Sequence, residues 1–179
     1  MKGRTVIPRR SAGRPGWPPP EYRIQVRFPA PLPYVYRWCT DFGADDGERA
    51  DESYERRVLR QSSREVLFED AWWTDTGWRW RRTLVALRPP DGWSADSTGN
   101  VRDAKIDYRL RTLASGGTEL EIRMRRRPSL WHTEQPTRQR FESELRGLWS
   151  AFRKSLAADY ARTKAGRARR TTRPRTRSR

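Results

Sequence analysis

The stretch EYRIQVRF, residues 21–28, alternates between apolar and polar side chains at every position. Its even-numbered residues are apolar, from Tyr22 to Phe28, and its odd-numbered residues are charged or carry an amide. A period of two residues is that of a strand with one buried face. The prolines at 29, 31 and 33 end this strand and admit a short helix over 33–40. The sequence therefore predicts a half-buried first strand followed by a short helix.

Further strand patterns follow, separated by turn signals such as Pro89-Pro90-Asp91-Gly92. The predicted strands are 54–61, 64–73, 77–87, 93–97, 103–113 and 118–127. The last two alternate between apolar and charged residues, which is typical of an antiparallel sheet with one solvated face. An acidic, glycine-containing loop over 41–53 precedes these strands, and we expect it to bury little.

The apolar period then changes from two residues to about 3.6, the period of an amphipathic helix. The stripe consists of Phe141, Leu145, Leu148, Trp149, Phe152, Leu156 and Tyr160. Thr133 is a candidate N-cap, and Pro136 suits a first helical turn because its missing N–H needs no partner there. We predict a long helix that ends near Ala161 and lies on the apolar face of the sheet.

Charge divides the chain of 179 residues, whose formal net charge is +17, into three parts. Residues 1–20 and 162–179 together contain 14 basic residues and no acidic residue, whereas the part between them is nearly balanced. We therefore predict a disordered Pro/Arg-rich leader over 1–20, one domain over 21–161 and a disordered Arg-rich tail over 162–179.

Composition also excludes several classes of protein. A single cysteine, Cys39, excludes a disulfide framework within the chain and a cysteine-rich zinc site. No apolar run is long enough to span a bilayer, and the first twenty residues lack the apolar core of a secretory signal. Phosphate-binding loops, dinucleotide-binding loops and zinc-protease helices are absent from the sequence. We therefore expect a soluble, cytoplasmic protein that needs no cofactor and no metal.

Three short motifs follow one another along the chain: the strand at 24–28, the dipeptide Ala30-Pro31, and the aromatic-rich YVY at 34–36 before Asp41. With the order of elements over 21–161, they resemble the START / Bet v 1-like (SRPBCC) superfamily, which includes polyketide cyclase-like and lipid-transport proteins. The resemblance implies an α+β helix-grip fold, in which a curved antiparallel sheet of about seven strands wraps around a long C-terminal helix. It also implies a cavity between sheet and helix that holds an apolar ligand.

The inward face of the sheet and the helix stripe would line such a cavity together. The candidate ligand-binding residues are Phe68, Asp70, Trp72, Trp80, Arg82, Tyr108, Leu110, Leu120, Ile122, Trp149 and Phe152. Strand parity places Asp70 between Phe68 and Trp72, where it would orient a ligand or act as a base. Arg82 would be its partner if both point inward. The competing interpretation places Asp70 at a bulge or an edge, in water, and we favour it because lone buried acids are rare.

Other features admit both a functional and a structural interpretation. His132 would be a general acid–base at the cavity mouth, although a solvated loop histidine is more common. Cys39 is expected to be a small buried hydrophobe.

The segment 72–82 interleaves tryptophans with arginines, as surfaces that bind single-stranded nucleic acid do. Strand alternation would send the two residue types to opposite faces, so we favour a core face and a solvated face.

The basic tail is a further candidate interaction site, because closely spaced arginines release counterions from any phosphate polymer. The candidate nucleic-acid-binding residues are Arg167, Arg169, Arg170, Arg173, Arg175 and Arg177. The alternative is a tail that only increases solubility.

Together these observations predict a small-molecule or lipid-binding protein that holds an apolar ligand between the sheet and the C-terminal helix. Three alternatives stay open. They are a nucleic-acid-associated protein that uses its basic tails, a cyclase- or hydrolase-like enzyme on the same fold, and a scaffold that binds a protein partner. We find no acid–base set in the sequence, so binding is favoured over catalysis.

Overall fold

A computed structural model describes residues 21–50, 52–100, 103–126 and 137–171. In these ranges one antiparallel sheet is formed by the strands β1 Glu21–Phe28, β2 Glu55–Gln61, β3 Glu65–Thr74, β4 Gly77–Arg88, β5 Gly92–Gly99, β6 Ala104–Thr112 and β7 Thr118–Arg126. The helices are α1 Leu32–Cys39, α2 Asp46–Arg49 and α3 Arg138–Thr171. The predicted α+β helix-grip architecture is confirmed.

The strand order β1-β7-β6-β5-β4-β3-β2 brings the first strand beside the last one. β1 pairs with β7 in a regular register, with Ile24 opposite Ile122. The strands β2 to β7 pair with their neighbours in chain order, so that β1 and β2 lie at the two edges. The connection between these edge strands contains α1 and α2, and both helices contact α3. The three helices therefore lie on the same face of the sheet, which we call the inner face.

The outer face of β1, β6 and β7 is charged, and most of its charged residues form ion pairs. Glu119 of β7 accepts hydrogen bonds from Arg111 Nε at 2.7 Å and from Arg27 Nε at 3.1 Å. These two guanidinium groups hold the pKa of the Glu119 carboxyl below its ordinary value. This half of the outer face thus behaves as the alternating sequence predicts, with a charged and solvated surface.

Helix α3 buries its predicted apolar stripe on the inner face of the sheet. Leu156 is fully buried, and the ring of Phe141 lies 4.4 Å from the ring of Tyr22 of β1. At the helix start, Thr137 Oγ1 accepts a hydrogen bond from the backbone N–H of Arg140, which is the contact of an N-cap residue. The predicted cap, Thr133, lies outside the described residues, as do Pro136 and His132.

The end of α3 and the loop over 41–53 differ from the sequence prediction. The helix continues to Thr171 and is therefore longer than the predicted helix, which ends near Ala161. Residues 1–20 and 172–179 lie outside the described residues.

The loop over 41–53 contains α2 and buries Phe42 and Ala50, so it buries more apolar surface than predicted. None of the described helices has an apolar stretch of the length that crosses a bilayer.

The packing of α3 on the sheet can be tested with Leu156→Ala. The side chain is fully buried, so we expect the free energy of unfolding to fall by about 2–5 kcal/mol through lost burial and a residual cavity. Lys154→Ala, an exposed position on the same helix, is the control and should change it by less than about 0.5 kcal/mol. Denaturant unfolding curves measure both. Equal effects of the two substitutions would contradict the described packing.

Candidate ligand cavity

A cavity of about 630 Å³ lies between the inner face of the sheet, the three helices and the residues that lead into β2. Aromatic side chains form much of its wall. They are Trp38, Phe42, Tyr54, Phe68, Trp72, Trp93, Tyr108, Trp149 and Phe152. The cavity is therefore large enough for a small molecule and is lined mainly by flat, apolar groups.

Four of these rings form a continuous row from the sheet to α3. Trp93 of β5 lies directly opposite Tyr108 of β6, and their rings stack at 4.7 Å with planes 13° apart. Tyr108 lies 5.9 Å from Trp149 of α3, and Trp149 lies 5.3 Å from Phe152. Burial raises the pKa of the Tyr108 hydroxyl, which therefore stays protonated at neutral pH and can donate a hydrogen bond.

At the other end of the cavity, three charged side chains form a row across three strands. Asp70 of β3 is fully buried, with Arg56 of β2 and Arg81 of β4 directly opposite it on either side. It accepts hydrogen bonds of 2.7 Å from Arg56 Nε and from Arg81 Nη2. Arg56 and Arg81 line the cavity, and Asp70 lies behind them. The buried carboxylate thus holds two guanidinium groups at the cavity wall.

Two further acids lie at this polar end. Asp46 of α2 accepts a hydrogen bond from Arg56 Nη1, yet burial outweighs this attraction and raises the pKa of Asp46 to about 6. Burial also raises the pKa of Glu52, although Arg81 opposes the shift. The polar end therefore holds three carboxyl groups and two guanidinium groups, all within the lining or directly behind it.

Cys39 and Tyr54 line the same cavity without gaining reactivity. Burial raises the pKa of the Cys39 thiol far above neutrality, so the thiolate that a nucleophile needs is not populated. Burial likewise raises the pKa of Tyr54, whose hydroxyl lies 3.4 Å from Arg56 Nη2. Tyr54 is therefore a neutral hydrogen-bonding group, and Cys39 acts as a small packing residue.

Five of the sequence-predicted ligand-binding residues line the cavity, namely Phe68, Trp72, Tyr108, Trp149 and Phe152. Leu110, Leu120 and Ile122 are buried in the core and do not line it. Asp70 faces inward, so the interpretation that placed it in water is wrong. The ligand-binding role of all these residues stays a prediction.

Trp80 and Arg82 were predicted to point inward, and this is wrong. Arg82 donates to Glu69 Oε1 at 2.9 Å on the outer face, and Trp80 is 38% exposed. The reason is that the buried carboxylate of Asp70 requires a cation, and Arg81, the residue directly opposite on β4, supplies it. With Arg81 inward, strand alternation turns its neighbours outward.

Sequence reasoning missed Arg56, Arg81 and Asp46. The sequence does contain a signal for Arg81. The two-residue turn Asp75-Thr76 places Thr74 opposite Gly77, and counting back along both strands places Asp70 opposite Arg81. Arg56 and Asp46 carried no comparable local signal, since a bulge interrupts the pairing of β2 and β3 and α2 is brought in by long-range packing.

Solved structures share this arrangement of sheet and helix. Ara h 8.0201 matches with a TM-score of 0.62 and 9% sequence identity, over 77% of this chain and 97% of that one. TTHA0849 from Thermus thermophilus matches with a TM-score of 0.61 and 12% identity, over 78% and 99%. The Zhui aromatase/cyclase from Streptomyces sp. R1128 matches with a TM-score of 0.55 and 12% identity, over 80% and 94%.

No family model matches the sequence, and no curated protein matches it either. Identities as low as those of the three structures establish a shared fold and nothing finer. Which molecule, if any, occupies the cavity must therefore be argued from the residues of this chain.

The first test of the polar end is Asp70→Asn. It leaves Arg81 without an ion pair among the described residues and Arg56 with Asp46 alone, so we expect the free energy of unfolding to fall by about 3–5 kcal/mol. The matched control is Glu69→Gln, which removes the neighbouring acid from an exposed ion pair and should cost less than about 1 kcal/mol. If the two variants unfold alike, Asp70 is not the buried partner of Arg56 and Arg81.

A second test uses the raised pKa of Asp46. Because this pKa is about 6 in the folded state against an ordinary value of 3.8, the folded state binds the proton more tightly than the unfolded chain. The stabilising contribution of protonated Asp46 is complete below the ordinary value and is lost as the pH rises through about 6. The free energy of unfolding of the wild type minus that of Asp46→Asn should therefore fall across this window and stay constant at higher pH. A difference that rises with pH would contradict the assignment.

Proposed function

Since the chain has the fold of Bet v 1-like and polyketide cyclase-like proteins, we propose that it binds a flat, largely apolar small molecule in the cavity between the sheet and α3. The observation that carries this proposal is the row of contacting rings from Trp93, which stacks on Tyr108, through Trp149 to Phe152. Aromatic rings attract other planar groups through stacking and edge contacts as well as through burial of apolar area. The cavity volume of about 630 Å³ also lies in the range of ligand pockets.

The polar end would orient the ligand. Its two guanidinium groups are already matched by carboxylates, so a ligand anion would gain little there and would face the acids Asp46 and Glu52. The hydroxyls of Tyr54 and Tyr108 line the cavity, and burial raises the pKa of each, so both stay neutral. A neutral ligand oxygen, from a carbonyl or a hydroxyl group, would accept a hydrogen bond from such a group without adding charge. We therefore favour a neutral polar group on the ligand over a carboxylate or a phosphate.

An enzyme on the same fold is the second candidate, and Asp46 is the observation that favours it. A carboxyl group with a pKa of about 6 at the wall of a cavity can both accept and donate a proton near neutral pH. The two candidates differ in what happens to the bound molecule. A carrier returns its ligand with unchanged mass, whereas an enzyme changes it, and Asp46→Asn would abolish that change while leaving binding intact.

The binding of nucleic acid by the basic tail stays a separate prediction. Arg167, Arg169 and Arg170 belong to the last part of α3, and Arg173, Arg175 and Arg177 lie outside the described residues. None of the six is among the described residues that line the cavity.

The experiment is native mass spectrometry of the purified protein for a co-purifying small molecule, followed by titration with the neutral probe N-phenyl-1-naphthylamine. We expect Trp149→Ala and Phe152→Ala each to weaken probe binding about tenfold or more, because each removes a ring of the row. Leu84→Ala is the control, since this exposed leucine lies on the outer face, away from the cavity, and it should bind as the wild type does. Phe152 is only half-buried, so its variant keeps the test valid if Trp149→Ala unfolds. Wild-type affinity in both cavity variants would refute the proposal.

A further inference from the structure

The outer face of the β3–β4 hairpin carries three exposed tryptophans that the cavity does not use. Trp73, Trp78 and Trp80 expose 73%, 42% and 38% of their surface. Clustered exposed aromatic side chains mark surfaces that contact another molecule. The ion-paired outer face of β1, β6 and β7 has no such cluster among its described residues, so the feature is confined to one end of the sheet.

The three rings lie close together on this face. Trp73 lies directly opposite Trp78, with ring centroids 5.1 Å apart and planes inclined by 60°, so the two indoles touch at an angle and Trp73 keeps most of its surface exposed. Trp80 lies two residues further along β4, about 7 Å away in an extended strand. Its cross-strand neighbour is Ala71, which is too small to cover an indole ring. Each ring therefore keeps part of its surface free to contact a flat group.

The next row of residues on the same face is cationic. It consists of Arg57 of β2, Glu69 of β3 and Arg82 of β4, which lie opposite one another. Glu69 is paired with Arg82, whereas Arg57 forms no ion pair with any residue that the structure describes. Exposed aromatic rings thus lie beside Arg57, whose charge is not matched by a carboxylate among the described residues.

We propose that this surface, the tryptophan face formed by Trp73, Trp78, Trp80, Arg57 and Arg82, binds single-stranded nucleic acid. Unpaired bases stack on exposed aromatic rings with little dependence on sequence, while adjacent arginines contact the phosphates. Aromatic rings on an open sheet face are one way in which folded domains bind single strands. The 14 basic residues at positions 1–20 and 162–179, with no acidic residue among them, favour a polyanion as the partner of the chain. A duplex keeps its bases stacked inside and cannot use the rings.

The test measures fluorescence anisotropy of labelled oligouridylate, oligodeoxythymidylate and a DNA duplex with the full chain across a salt series. We expect both single strands to bind more tightly than the duplex. Trp73→Ala and Trp80→Ala should each weaken single-strand binding about tenfold at fixed salt. Trp73→Phe, which keeps a ring, should retain most of the affinity. Arg57→Ala should reduce the slope of log affinity against log salt by about 0.7, the value for one lost phosphate contact.

Val58→Ala is the matched control, because Val58 is 39% exposed on the opposite side of β2, and it should bind as the wild type does. Two outcomes would overturn the proposal. Wild-type affinity in both tryptophan variants would assign any binding to the basic tail alone. Tryptophan-dependent binding to phosphatidylserine vesicles, without binding to oligonucleotides, would show that the tryptophan face contacts a membrane surface instead. The cavity lies on the other side of the sheet, so either result leaves the ligand proposal untouched.

Discussion

The side chain of Asp70 has no exposure to water, and a buried carboxylate requires cations within hydrogen-bond distance. Arg56 and Arg81 meet this requirement from the two neighbouring strands, in one row across the sheet. Side chains alternate along a strand, so fixing the direction of one residue fixes the direction of all the others in regular pairing. This single ionic contact therefore orients β3 and β4 along their length and β2 up to its bulge.

Both surfaces to which we assign a function follow from that orientation. On the inner face, Arg56 and Arg81 become the polar end of a cavity that is otherwise aromatic. On the outer face, Trp73, Trp78 and Trp80 are exposed beside the row of Arg57 and Arg82. Replacing a buried ionic row by apolar residues of similar volume often leaves stability unchanged or raises it. We infer that the row is more important for sorting the two faces and supplying polar groups than for net stability.

The sequence predicts most of the fold because most elements have an unambiguous period. The first strand, the final hairpin and the stripe of α3 all lie as their patterns indicate. The pattern fails in β4, where Trp80 and Leu84 have one parity and Val85 and Leu87 the other, so apolar content does not decide the inward face. In β4 the ion pair between Arg81 and Asp70 decides which face points inward.

Two other differences have comparable causes. The loop over 41–53 looks solvated in sequence, but Phe42 stacks on Phe68, and Ser155 of α3 donates a hydrogen bond to the carbonyl of Arg49. The extension of α3 beyond Ala161 lacks an apolar stripe, yet alanine, arginine and lysine are strong helix formers. Contacts between distant segments and intrinsic propensity thus account for what the apolar pattern could not predict.

The central claim is that Arg81, and not Arg82, is the inward partner of Asp70. A double-mutant cycle on the free energy of unfolding tests it, with Asp70→Asn combined with Arg81→Ala and, in parallel, with Arg82→Ala. We predict a coupling of about 1–3 kcal/mol between Asp70 and Arg81 and less than about 0.5 kcal/mol between Asp70 and Arg82. A stronger coupling to Arg82 would contradict the orientation of β4, and with it the assignment of the cavity and of the tryptophan face.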